Sequence, residues 1–404
     1  MSALLSCVVM CQGADTATTE RIAELEKIIA DGGGGSNLST YHLIDQYWEL
    51  ADLQKKSGDH GKWYLTISRA LRMEPFDYKR QIDAAEYEYN NGSTNLAIAR
   101  LSGIAGDTSQ RFSIQRGRAK SILNKIPKAA IDAAAKQPQV VFPVLKDGTR
   151  PAAYIMPFPG ADSNITARVA RRLAEEFHCV AQIMPMAEEE SAKDSRDVRK
   201  RTIDAIAEQA QKDYDRADIM TFLAQRQMTI NDLRTDAGKE KFVKALLLSN
   251  NEKDGSETWK HINSLRPQRY SDTLFDQALA RIGGRNAVMT PSILGVFLIT
   301  ADDIFMSENN GFVFACASNF KRSSVISYAR FAYDNPTAKK LAQRCETQAI
   351  STFAFSIGLD RCAVPRCANS QSYSVDQLDR KTQSLCEFCK QNVAAIYAKK
   401  INGK

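Results

Sequence analysis

Histidine is scarce in this 404-residue chain: the four present, His42, His60, His178 and His261, never fall within helical reach of one another. A zinc-hydrolase helix presents two imidazoles at i and i+4 with a third close by, so no segment carries that motif. Long apolar runs are missing too. Ala3 to Met10 comes nearest, but it is too short to cross a bilayer. It lacks the basic flank of an export signal, although the small residues Gly13 and Ala14 after it resemble the tail of one. A cytoplasmic location is the favoured expectation, with export by a truncated or atypical signal the alternative. Neither sign of charge dominates: 54 basic against 47 acidic residues leave a net +7 spread through mixed-sign segments. Nucleic acid is therefore not an expected partner, and the densest basic patch, Asp194 to Arg201, reads as a solvated helix face. There is no phosphate-binding loop, since Gly283-Gly284 alone makes a turn.

Nine cysteines in so long a chain do not make a disulfide scaffold. Four of them, Cys362, Cys367, Cys386 and Cys389, form a C-x4-C and C-x2-C set with no histidine beyond His261. Two close thiol pairs, each from one tight turn, suit a tetrahedral zinc ion. Four sulfurs leave no open position for a catalytic water, so one ion held there would be structural. Such a site is most easily kept where thiols stay reduced. Cys179, Cys316 and Cys345 read as buried thiols, while Cys7 and Cys11 fall in the amino-terminal apolar run.

The words around the four cysteines carry a resemblance. Gly358-Leu-Asp-Arg-Cys362, Cys367, Asp379-Arg-Lys381 and Leu385-Cys-Glu-Phe-Cys389 resemble the carboxy-terminal signature of the archaemetzincins. That metzincin-like zinc peptidase family has the pattern H-E-x-x-H-x-x-G-x-x-H-C-x4-C-x-M followed by C-x2-C. Upstream, Ile293-Leu-Gly-Val296, Asp303-Ile-Phe305, Phe312-Val-Phe314 and Ser327-Tyr-Ala-Arg330 resemble the family's strands before its active-site helix. Arg266-Pro-Gln268 followed by Tyr270 resembles its R-x-Q-Y element. The resemblance covers residues 152 to 395 and implies an α+β or α/β fold. Its parts would be a metzincin-like mixed sheet, an active-site-type helix and a four-cysteine zinc lobe.

The catalytic residues of that pattern are absent. Anchoring on Gly358 and Cys362 puts the first histidine at Ser351, the glutamate at Thr352, the second histidine at Phe355 and the third at Arg361. The methionine two places after the second cysteine is Asn369. Hydroxyls are poor ligands, a phenyl ring is none, and a guanidinium repels a divalent ion. Ala349, Ile350, Phe353, Phe355 and Ile357 still supply an apolar stripe, so the helix itself is expected to persist. The expected function is that of a catalytically inactive pseudopeptidase holding one structural zinc and acting through protein or peptide binding. The alternative is an active zinc-dependent metallopeptidase or other hydrolase with an atypical site, for which Asp360, Asp302 and Asp303 are the candidate carboxylates.

Ahead of this region, a helical signal from Ile22 is interrupted by Gly32 to Ser36, a linker. A weak repeat follows. Ala51 recurs as Ala85, Ser57-Gly58 as Asn91-Gly92, Trp63 as Ala97 and Ile67 as Leu101, each displaced by 34 residues. That period suits tetratricopeptide-like helix pairs, with a segment at Thr108 to Lys125 capping the stack and a plain helical bundle as the alternative. The expected domains are 1–38 as amino-terminal segment and linker, 39–127 as the helical repeat-like region, and 138–404 as the archaemetzincin-like domain. Within the last, Val140 to Val144, Ala152 to Met156 and Val180 to Ile183 read as strands, and Ile165 to Phe177 as a helix. The stretch from Ala187 to Gln211 reads as charged and helical, and Ala217 to Leu223 and Ala245 to Ser249 as further strand-like or short apolar segments.

Overall fold

The computed structural model describes residues 16–32, 40–136, 140–186, 195–213, 216–250, 256, 258–259, 262, 268–306 and 312–402. The amino-terminal apolar run with Cys7 and Cys11, most of the glycine linker, Asp194, His261 and Arg266-Pro267 lie outside them. The chain divides into two compact units. One comprises Met1–Pro151, Arg171–Val180 and Ala338–Lys404, the other Ala152–Ala170 and Ala181–Thr337.

The first unit opens with helices. Thr40–Lys56 and His60–Met73 make one hairpin, Tyr78–Asn90 and Thr94–Ala105 the next. Thr16–Gly32 precedes them; Ser113–Leu123 and Lys128–Ala135 follow. The 34-residue spacing is visible in the backbone: Gly58 and Gly92 turn the two hairpins with φ of 81° and 82°, a conformation that glycine takes without strain. Asp59 and Asp77 each accept a hydrogen bond from a backbone N–H of the next helix's first turn. Ala51, Ala85 and Ala97 are buried at the contacts, where their size lets helices approach. Two hydrophobic clusters result, one around Trp48, Trp63 and Leu71 and one around Tyr78, Ile82, Leu101 and Ile126. Between them the buried Arg100 donates to both Glu88 carboxylate oxygens at 2.8 and 2.9 Å, to Gln81 Oε1 at 2.5 Å and to the Ala363 carbonyl at 3.0 Å. Glu88 also accepts from Tyr64 Oη. These bonds offset part of the penalty of burying charge, but burial still raises the Glu88 carboxyl above its ordinary range.

The rest of this unit is built on the helix Ala338–Ser356, whose residues from 344 to 354 are all buried. Phe353 meets Phe177 edge to face at 5.0 Å. Arg344 holds the Asp379 carboxylate with two bonds of 2.8 and 2.9 Å, which gives the Asp379-Arg-Lys381 word a structural reason. Helix Glu387–Ile401 closes the lobe.

The second unit carries a mixed five-stranded sheet in the order β2-β1-β5-β8-β7. Its strands are β1 Ala152–Pro157, β2 Val180–Ile183, β5 Ile293–Thr300, β7 Ala315–Ser318 and β8 Ser323–Ser327. β1, β5 and β8 run parallel and β7 antiparallel to β8. β5 is buried along nearly its whole length, as a central parallel strand must be. A second sheet joins β3 Ser195–Arg196, β4 Gln268–Tyr270 and β6 Asp303–Phe305. The mixed sheet, the long buried helix, the four-cysteine lobe and the amino-terminal helices are those expected.

Three local expectations are corrected. Val140 to Val144 is not a strand: among the described residues no neighbour pairs with it, Pro143 offers no N–H, and Val141 and Val144 are exposed. Residues 217–223 and 245–249 are helical, inside Arg216–Gln225 and Asp236–Asn250. Their apolar residues pack with Val198–Asp213 into one cluster of Ile203, Ile219, Leu223, Phe242 and Val243, and short apolar runs do not separate buried helix from buried strand. Among the described residues no helix is long and apolar enough to cross a membrane.

Candidate metal centre and degenerate cleft

Cys362 and Cys367 sit on a loop just past the long helix. Cys362 N–H donates to Asn369 O, Ser370 N–H to Cys367 O, and Arg366 takes a left-handed φ of 66° that tightens the turn between the two thiols. Cys386 and Cys389 occupy the N-cap and first turn of helix Glu387–Ile401, where free N–H groups and the helix dipole favour thiolate over thiol. The four Sγ atoms lie within 4.8 Å of one another. The Cys362–Cys386 pair is 3.6 Å apart and the Cys367–Cys389 pair 3.8 Å. A tetrahedral ion with Zn–S bonds of about 2.3 Å separates its sulfurs by about 3.8 Å, so the cluster could hold one zinc ion through these four ligands. Among the described residues it is the group of three or more histidine, cysteine or acidic side chains placed to do so.

Burial alone would raise Cys367, but the three neighbouring cysteines and the Cys386 backbone N–H, 3.3 Å away, hold it well below the ordinary thiol range. A metal replaces the thiol protons. Two further donors address the sulfurs: Val364 N–H to Cys362 at 3.4 Å and Asn369 Nδ2 to Cys389 at 3.8 Å. Asn369, identified from the sequence only as a lost methionine, thus supports the cluster from outside, as second-layer donors do. So does Lys381, which is buried and donates to the Ala368 carbonyl beside Cys367 at 3.2 Å. Burial, with the Arg361 charge, pushes its ammonium down to about 7, and an anionic tetrathiolate centre would favour its charged form. The role of Lys381 had no signal in the sequence beyond the word it stands in.

Residues 351, 352 and 355 share one helix, and Arg361 is brought back against Ser351 and Phe355. Ser351 and Thr352 are buried on helix Ala338–Ser356, and Phe355, one turn on, is 39% exposed. Thr352 donates its hydroxyl to its own helix at Gln348 O and accepts from Gln348 Nε2. Arg361 Nη1 reaches back to Ser351, donating to its carbonyl at 2.7 Å and to Oγ at 2.5 Å. Its guanidinium lies 5.1 Å from the Phe355 ring centre. A cation therefore ties residue 361 to residue 351. The carboxylates weighed as an atypical set are held in ion pairs: Asp360 with Arg72, Asp302 with Arg269, and Asp303 with Arg330.

No family model matches the chain. Over 118 residues it is 30% identical to an archaemetzincin of Haloarcula marismortui, a stretch covering 28% of this chain and 62% of that protein. Among solved structures it is similar to archaemetzincin from Methanopyrus kandleri, with 16% identity, a TM-score of 0.39, and coverage of 63% of this chain and 98% of that one. Archaemetzincin from Archaeoglobus fulgidus, solved with malonate, gives 18% identity and a TM-score of 0.33 over 59% and 97%. A zinc-dependent peptidase from Methanocorpusculum labreanum gives 13% and 0.34 over 60% and 99%. The resemblance read from the carboxy-terminal words is borne out by the sequence match.

Proposed function

We propose that this archaemetzincin-like chain is a catalytically inactive pseudopeptidase, folded around one structural zinc, that works by binding a protein or peptide. The observation that carries the reading is the Arg361–Ser351 contact. It puts a guanidinium bonded to the first ligand position in place of a metal, and Thr352, where the base would stand, has turned its hydroxyl into its own helix. Removing a nucleophile-activating metal or a general base costs several orders of magnitude in rate, and both are missing. The purified chain is expected to leave a peptide library uncut at every zinc concentration. Hydrolysis that a chelator abolishes and zinc restores would overturn the reading. A set of four reduced cysteines favours a compartment that keeps thiols reduced.

The helical hairpins are proposed as a tetratricopeptide-like folding unit at 39–127 that presents a partner surface. Support comes from the two hydrophobic clusters, whose fully buried members all lie between Ile44 and Ile126. Expressed alone, 39–127 should give helical circular dichroism and a cooperative melt. A fragment that stays unfolded would make these helices an integral layer of the zinc-bearing unit instead.

A further inference from the structure

We infer that Arg361, with Phe355 beside it, is a carboxylate-recognition site, which takes the free carboxy-terminus of a peptide. This rests on the inactive, peptide-binding reading and names what that site would select.

Arg361 lacks a carboxylate counter-charge. Among the described residues no carboxylate pairs with it. Neighbouring acids are engaged elsewhere, Asp360 with Arg72, Asp379 with Arg344 and Lys340, and Asp376 with Arg380. Only Nη1 is committed, by its two bonds to Ser351. Nε and Nη2 have no partner among the described residues, and neither is among the polar atoms sealed from water without one. That leaves one edge of a planar fork open, with the other edge pinned to a buried helix residue, so its orientation is fixed in advance. Two parallel N–H donors match the two oxygens of a carboxylate.

The replacement of a metal by a guanidinium also changes what the cleft prefers. A Lewis-acidic ion takes a lone pair from a neutral carbonyl. A guanidinium only donates hydrogen bonds, and those are strongest to a fully charged oxygen pair. An internal peptide bond lacks that charge, whereas a chain end carries it. Beside the guanidinium, the exposed Phe355 ring gives the last side chain of such a peptide an apolar wall, which favours an apolar terminal residue.

The test uses the full chain and an N-acetylated tetrapeptide ending in phenylalanine, supplied as the free acid and as the carboxy-terminal amide, with calorimetric titration of each. The free acid is expected to bind at least about tenfold more tightly than the amide. Arg361→Gln should erase that preference and Arg361→Lys retain part of it, with all three proteins melting cooperatively. Equal binding of acid and amide, a preference that survives in Arg361→Gln, or no binding of the acid would each overturn the inference. Benzoate provides the remaining arm: if it binds as tightly as the peptide acid, the site recognises small carboxylates and the peptide assignment falls. Zinc-dependent hydrolysis of either peptide would instead overturn the inactive reading, so the two failures are distinguishable.

Discussion

Cys386→Ser is expected to strip the chain of zinc and to unfold the lobe around the former ion. Metal content should fall from one zinc per chain to close to none, and the melting temperature should drop with it. The size of the effect follows from linkage: the free energy of holding zinc at a four-ligand structural site is on the order of 10 kcal/mol, comparable to the whole stability of a typical domain. Cys386 caps helix Glu387–Ile401, and its backbone N–H bonds to the Cys367 sulfur. Serine could keep the cap and the backbone bond but not the thiolate, so the loss isolates metal ligation. Chelation of the unmodified protein should reproduce the same melt. Cys345→Ala is the control, because Cys345 is buried on the long helix outside the four-sulfur cluster; it should lower stability while leaving one zinc bound. Unchanged zinc content and melting in Cys386→Ser would remove the metal centre from the account.

What could be read in the sequence divides along the range of the interactions. The four cysteines come as two close pairs on one short lobe, so their spacing was legible by itself, whereas Ser351, Thr352, Phe355 and Arg361 were placed by what the resemblance implies once it is anchored on Gly358 and Cys362. The hairpins at Gly58 and Gly92 were legible for the same reason, since a turn residue and a helical period are local properties. The contact between the helical region and the zinc loop was not. It is made by Arg100 and Gln81, whose side chains donate to the Ala363 carbonyl, and by Gly103, where an added Cβ would come within 2.6 Å of the Pro365 carbonyl. A buried arginine inside an apolar helix and a glycine in mid-helix have no local reason; their partners lie more than 250 residues away. The apolar runs at 217–223 and 245–249 failed differently, because their period was too short to decide between helix and strand and only tertiary packing decided it. The second layer of the metal centre, Asn369 and Lys381, lies within the signature words but has types that signature matching scores as loss or leaves unread.

Restoring the family residues all at once, as Ser351→His, Thr352→Glu, Phe355→His and Arg361→His, is expected to add a second zinc to each chain. The scaffold for it is in place. Helix Ala338–Ser356 carries positions 351 and 355 one turn apart, and Gly358, at φ 98°, turns the chain so that residue 361 comes back against Ser351. The Arg361 bonds to Ser351 put residue 361 on the side of the helix that carries residue 351. Replacing that arginine removes the cation that repels an incoming ion, while three imidazoles supply ligands of the type zinc takes. The substitution has a cost, since Ser351 and Thr352 are 2% and 1% exposed and enlarging a packed position typically destabilises by about 1–3 kcal/mol. The metal-free variant should therefore melt lower than the unmodified chain, and zinc should recover more than the difference, because ligand binding to the folded state alone stabilises it. Arg361→His by itself should bind no second ion, since one imidazole beside a serine and a phenylalanine is an incomplete set. A folded fourfold variant that still holds one zinc would mean that the cleft has departed from a metal-binding geometry in its backbone as well as in its side chains.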